Sequence, residues 1–150
     1  MNVKISRILL VEDSDRDAEL VVDALGQQLV NEVIRVRDGA EALDYLHHRG
    51  SFADNSDGLP IVVLLDLKMP KMDGMEVLAH IRNDPQLKLL PVVMITSSRE
   101  DQDLVNSYTL GVNAYVVKPV NFTAFVDAVK FVGAFWAVVN EPPPMKGRTR

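Results

Sequence analysis

Hydrophobic residues fall into two alternating rhythms along the chain: a short unbroken apolar run, then a stretch in which apolar residues return every three or four positions. The first run is Ile8-Leu9-Leu10-Val11, and Ala18, Val21, Val22, Leu25 and Leu29 follow it at helical spacing. Val33 to Val36 leads into Ala42, Leu43 and Leu46, and Ile61 to Leu65 leads into Val77, Leu78 and Ile81. Val92 to Ile95 precedes a helix expected from Glu100 to Leu110 with Leu104, Val105 and Tyr108 inward, and Ala114 to Val117 precedes a long helix from Asn121. Acceptors stand three residues before an acid at Ser14 and Asp17, Asp38 and Glu41, and Asp73 and Glu76, which marks helix starts; Asp84-Pro85 stops the third helix. Alternating strands and helices with wholly apolar strands predict a doubly wound α/β fold: a parallel sheet covered on both faces, every crossover right-handed. The stretch from Arg49 to Pro60, rich in Gly, Ser, Asn and Asp, is expected to form an exposed, mobile loop.

Composition narrows the class. At 150 residues and 47% hydrophobic the chain is sized for one core. No cysteine is present, which excludes disulfides and thiolate metal sites and suits a reducing compartment. The apolar run after the N-terminal MNVKIS is too short for a signal segment or a membrane span, so a soluble cytoplasmic protein without membrane contact is expected. A net charge of -5 with mixed signs argues against a nucleic-acid face; Lys146, Arg148 and Arg150 form only a small basic tail.

In open α/β sheets ligands bind beyond the carboxyl ends of the strands, so the polar residue after each apolar run is the one to inspect. Glu12 and Asp13 follow the first strand, Asp66 the third, Thr96 the fourth and Lys118 the fifth, whereas the second ends in plain Arg37-Asp38. Singly, each is an ordinary turn or cap residue. Together they are not. If the first and third strands are neighbours, three carboxylates share one crevice, raise one another's pKa and call for a cation. Oxygen ligands without His or Cys point to Mg²⁺ rather than zinc. Asp13 and Asp66 would bind it directly, with the backbone carbonyl of Lys68 and a water-mediated Glu12 completing the shell. A carboxylate nucleophile, a cation and a lysine are a poor hydrolytic set and a good one for phosphoryl transfer to Asp66.

The runs ILLVEDS, LLDLKMPKMDG, MITSS and YVVKP resemble the receiver domain of two-component response regulators, from about Ile5 to Val139. The resemblance implies a flavodoxin-like, five-stranded sheet in the order 2-1-3-4-5, spanning residues 5–139, with 140–150 a flexible tail. It implies that Asp66 is the phosphoacceptor, that Glu12 and Asp13 hold the metal, and that Lys118 is the family's lysine. Thr96 would bond the phosphoryl group, Tyr115 would swing inward as Thr96 moves, and the Lys118-Pro119 bond would be cis. Such a protein is no conventional enzyme but a switch that catalyses its own phosphorylation and dephosphorylation. A narrower resemblance, carried by the loop before Pro60, by RNDPQLKLLPVVMITSS and by Phe135-Trp136, is to stand-alone receivers that partner bacterial phytochrome histidine kinases. With no output domain in view, signalling would pass through protein contacts with an unidentified downstream partner. His47 and His48 read as surface histidines, and Met69, Met72 and Met75 as packing residues.

Two other readings stay open on the residues alone. A haloacid-dehalogenase-type phosphatase also carries its nucleophile after a parallel strand, but needs an acid where Lys68 stands. A receiver that has lost phosphorylation and works by constant contact would retain the fold without needing the intact acid set. In the last helix, Phe122, Phe125, Val126, Val129, Gly133 and Trp136 form one stripe facing the sheet, while Ala124, Ala128, Phe131, Phe135 and Val138 lie on the opposite side. Two phenylalanines on an outward face invite a second copy, although the tail beyond Glu141, stiffened by Pro142-Pro143-Pro144, is an alternative cover. Sedimentation at micromolar concentration is expected to find a homodimer, and a monomer for the Phe131→Glu, Phe135→Glu variant; a monomeric native chain would remove this interface.

Overall fold

The computed structural model describes residues 7–26, 31–55, 58–97, 100–118, 120, 121, 123, 124 and 127. Leu29, Pro119, Phe131, Phe135 and Val138 lie outside these. Five parallel strands, β1 (Arg7–Val11), β2 (Glu32–Val36), β3 (Val62–Asp66), β4 (Val92–Thr96) and β5 (Ala114–Val117), form one sheet in the order β2-β1-β3-β4-β5. The helices are α1 (Asp15–Gly26), α2 (Gly39–His47), α3 (Gly74–Asn83) and α4 (Asp101–Thr109). Thr123, Ala124 and Asp127 are also helical, and the Asn121 side chain accepts the Ala124 N–H at 2.8 Å, capping the helix start expected there.

Strand periodicity divides the core in two. Leu9, Val11, Val63, Leu65, Val92 and Met94 meet Ala42 and Leu46 of α2 and Val77, Leu78 and Ile81 of α3. Ile8, Leu10, Val62, Leu64, Val93 and Ile95 point to the other face, against Ala18, Val21 and Leu25 of α1. Both faces of β1, β3 and β4 are thereby covered, which is why these strands are apolar without alternation. Each buried Leu or Ile contributes about 1.5–3 kcal/mol. The helix starts are capped as expected. Ser14 Oγ accepts the Asp17 N–H at 3.2 Å, Asp38 accepts that of Glu41 at 2.8 Å, and Asp73 and Glu76 form a reciprocal capping box. Met69 is buried and Met72 and Met75 pack against the same core.

Three expectations need correction. Leu104 and Tyr108 do not face inward: they are 38% and 50% exposed, and among the described side chains of α4 the buried one is Ser107. Ser107 donates to Met75 Sδ at 3.8 Å and Asp103 meets Lys68 at 3.5 Å, so polar side chains make these contacts of the helix. The Val105 side chain lies outside the described residues. The stretch after Arg49 is not wholly exposed, since a 3₁₀ turn at Gly50–Phe52 sets Phe52 edge-on against Tyr45, ring centroids 5.1 Å apart. His47 and His48 are half-buried rather than fully on the surface, His47 pairing with Asp84 at 3.2 Å and His48 closing α2 in the left-handed region with φ 57°.

Two contacts fix the strands that matter for the site. At the opposite end of the sheet Arg82 donates to the carbonyls of Gly111 (2.8 Å), Lys88 (3.1 Å) and Leu90 (2.7 Å) and to Asn113 Oδ1 (2.9 Å), tying the approaches to β4 and β5 together. At the site end, the Gly74 N–H donates to Leu67 O at 2.9 Å, folding α3 back onto the end of β3. A Cβ at Gly74 would run into the Asp66 carbonyl oxygen and stand 2.9 Å from Leu67 Cα. Because both neighbours are backbone, this clash outweighs the roughly 1 kcal/mol that alanine normally gains over glycine in a helix. Gly74→Ala is expected to lower the unfolding free energy by about 1–3 kcal/mol in a urea titration; a midpoint at or above the native one would disprove the close approach.

Candidate functional site

Four strand ends converge as the sequence suggested. Asp66 is the last residue of β3 and Thr96 the last of β4; Glu12 directly follows β1 and Lys118 directly follows β5. In register, Val11 stands beside Leu65 and Thr96 beside Val117, so neighbouring strands stop at one level. The Glu12 N–H donates to Val36 O at 3.1 Å and the Lys118 N–H to Thr96 O at 2.8 Å, which carries the ladder one residue past each strand. Thr96 and Glu12 are fully buried and Asp66 nearly so; Tyr115 is half-buried against the core on the α2 and α3 side.

Ligand oxygens of Glu12, Asp13 and Asp66 all lie within 4.8 Å of one another. One ammonium faces them. Lys118 Nζ donates to Glu12 at 2.6 Å and to Asp17 at 3.0 Å, and stands 3.5 Å from Asp66. Burial disfavours the lysine charge, but the Glu12 and Asp17 hydrogen bonds and the Asp66 charge outweigh it and hold the Lys118 pKa above the ordinary lysine range. The Asp66 pKa is raised from 3.8 to about 7 by burial, then by a hydrogen bond and the like charge of Glu12, with Asp13 adding and Lys118 opposing. One lysine therefore does not neutralise the cluster. An all-oxygen set with surplus negative charge fits a hard divalent cation. Lys68 lies two residues after Asp66, its side chain turned out to Asp103.

Residues that no strand-end rule singles out hold the acidic turn in place. Arg35 Nε donates to Glu12 O at 2.9 Å, and Arg35 and Arg37 both reach Asp15, at 2.9 and 2.7 Å. Those two guanidinium hydrogen bonds keep the Asp15 carboxyl below its usual range. Asp17, read from sequence only as a helix-start acid, is a direct partner of Lys118, a contact that no local pattern marks. Beside it opens a cleft of about 360 Å³ lined by Asp17, Leu20, Val21, Ser97, Lys118 and Val120. Lys71, in the loop between β3 and α3, has φ 68°, a strained conformation for a non-glycine residue.

Comparison with known proteins gives a consistent picture. Residues 8–130 match the response regulator receiver domain. The response regulator Rcp1 of Synechocystis sp. is 42% identical over 130 residues, 86% of this chain and 87% of that protein. The structure of its Mn²⁺-bound form superposes with a TM-score of 0.72 at 40% identity, covering 93% of this chain and 99% of that one. The bacteriophytochrome response regulator AtBRR gives a TM-score of 0.84 at 56% identity, covering 93% of this chain and 100% of that one. The phosphorylated cyanobacterial phytochrome response regulator RcpA gives 0.73 at 43%, covering 89% and 94%.

The raised Asp66 pKa has a thermodynamic consequence. Between 3.8 and about 7 the folded chain binds a proton that the unfolded chain has released, so metal-free stability falls as pH rises through that window. Asp66→Asn removes the term. In chelator, its melting temperature is expected to exceed the native one by a margin that grows from about pH 5 to about pH 8; a constant or shrinking margin would contradict the raised pKa.

Proposed function

The chain belongs to the response regulator receiver family, and from that premise we propose that Asp66 accepts a phosphoryl group from a sensor histidine kinase with Mg²⁺ and signals through protein contacts. The observation that carries this is the crowding of buried Asp66 with Glu12 and Asp13 while a lysine ammonium stands 3.5 Å away. Neither a histidine base nor a hydroxyl nucleophile paired to one sits among these groups, so the carboxylate is the nucleophile.

In this reading an Asp66 oxygen attacks the phosphorus of a phosphohistidine, the new O–P bond forms as the P–N bond breaks, and the electron pair leaves on the imidazole. Asp66, Asp13, Glu12 through water and the Lys68 carbonyl would hold Mg²⁺, which supplies charge neutralisation on the phosphoryl oxygens. The remaining work belongs to the chain. Lys118 offsets charge that develops on the transferred group, and the buried Thr96 hydroxyl donates to a phosphoryl oxygen once the group is in place. Tyr115, on the neighbouring strand, follows Thr96 inward and passes the change to the surface. These are the parts of a self-catalysed phosphorylation and dephosphorylation.

The kinase partner we propose is a bacteriophytochrome, since AtBRR is by name a bacteriophytochrome response regulator and RcpA a cyanobacterial phytochrome response regulator. No helix among the described residues is long and apolar enough to cross a membrane, which suits a cytoplasmic setting. A homodimer through Phe131, Phe135 and Val138 belongs to the same proposal. Incubation with acetyl phosphate and Mg²⁺ is expected to add one phosphoryl group to the native chain by intact mass, none to Asp66→Asn and none in chelator; equal labelling of native and variant would overturn the assignment.

A further inference from the structure

Lys118 is shared unevenly. Its ammonium has three donors, and two are spent at hydrogen-bond distance on Glu12 (2.6 Å) and Asp17 (3.0 Å), while Asp66 receives the longest contact at 3.5 Å. The two short partners differ in one respect. The Glu12 side chain is 0% exposed, so losing the ammonium would leave a buried carboxylate without its counter-charge; that of Asp17 is 38% exposed. Asp17 lines the open cleft beside the site, where water replaces the lysine at little cost. Its backbone is fixed independently, the N–H donating to Ser14 Oγ at 3.2 Å, so releasing the side chain does not unwind α1.

We propose that Asp17 is a positioning residue that parks the Lys118 ammonium short of Asp66 and is the partner given up when a phosphoryl group on Asp66 competes for the lysine. This rests on the phosphoacceptor reading above. A phosphoryl group brings strong acceptor oxygens to Asp66 and draws the ammonium towards them. Glu12, buried and without water to replace the ammonium, keeps its pair, whereas Asp17, anchored on the first turn of α1 and open to the cleft, gives it up. The strength of the Asp17 contact is therefore subtracted from the affinity of the site for its phosphoryl group, and Asp17 acts as a built-in brake on the phosphorylated state.

The test uses beryllofluoride, a phosphoryl mimic, titrated calorimetrically into the full chain at saturating Mg²⁺. Asp17→Asn keeps the side-chain shape and removes the charge. It is expected to bind about three- to fivefold tighter than the native chain, the range of a half-exposed ion pair. Glu19→Gln removes an exposed acid from the same helix and is expected to leave the affinity unchanged. Equal or weaker binding by Asp17→Asn, or the same tightening by Glu19→Gln, overturns the role of Asp17 while leaving the phosphoacceptor reading standing. Absence of binding by the native chain overturns both. A cooperative melting transition for each variant confirms that affinities are compared between folded proteins.

Discussion

The interaction on which the rest depends is the pairing of one ammonium with too many carboxylates. At the Lys118–Asp66 separation of 3.5 Å the attraction is about 4–5 kcal/mol at an effective dielectric near 20. The Glu12 and Asp13 charges act against Asp66 at comparable range. Burial is the largest cause of the raised Asp66 pKa, the Glu12 hydrogen bond and charge add to it, and the Lys118 attraction is too small to offset them, which is why Asp66 titrates near neutrality although a lysine stands beside it. An acid in that condition is held ready for a cation and for a partner that changes its charge. Without Lys118, fully buried Glu12 would carry an unpaired charge at a cost of several kcal/mol.

The remainder of the fold keeps that arrangement in register. Strands buried on both faces cannot slip by a residue without turning a whole apolar row outward, and β1, β3 and β4 are buried in this way. Their ends are then trimmed by specific contacts. Arg35 holds the Glu12 carbonyl, Gly74 lets α3 press against the end of β3, and Arg82 binds the far ends of β4 and β5 together. Polar groups are gathered at one edge of the sheet while stability is generated elsewhere, so the site can stay electrostatically unfavourable at little cost to the fold.

Helix α4 stands apart from this economy. Among the described residues, none of its side chains belongs to either core cluster, and its contacts include a sulfur hydrogen bond and a half-exposed ion pair. Contacts of that kind contribute about 0–1 kcal/mol each. Leu104 and Tyr108 remain on its outer side, and the helix begins shortly after β4 delivers Thr96 to the site.

Sequence by itself determined the strand and helix sequence, three helix caps and the residues that stand at the strand ends, because each depends on interactions within about one turn or on a period repeated through a strand. Glu12, Asp13, Asp66, Thr96 and Lys118 were legible for that reason: a parallel sheet brings the residues after its apolar runs to one edge whatever the details. Tertiary structure alone decided the facing of α4, where the hydrophobic pattern pointed to Leu104 and Tyr108 and Ser107 is buried instead. It alone decided that Phe52 anchors the loop after α2, and that Asp17 and Arg35 serve the acidic cluster. Those contacts join residues 101 positions apart in one case and 23 in another. No local period encodes such a distance; only the closing of the sheet brings Lys118 beside α1 and Arg35 beside the turn after β1.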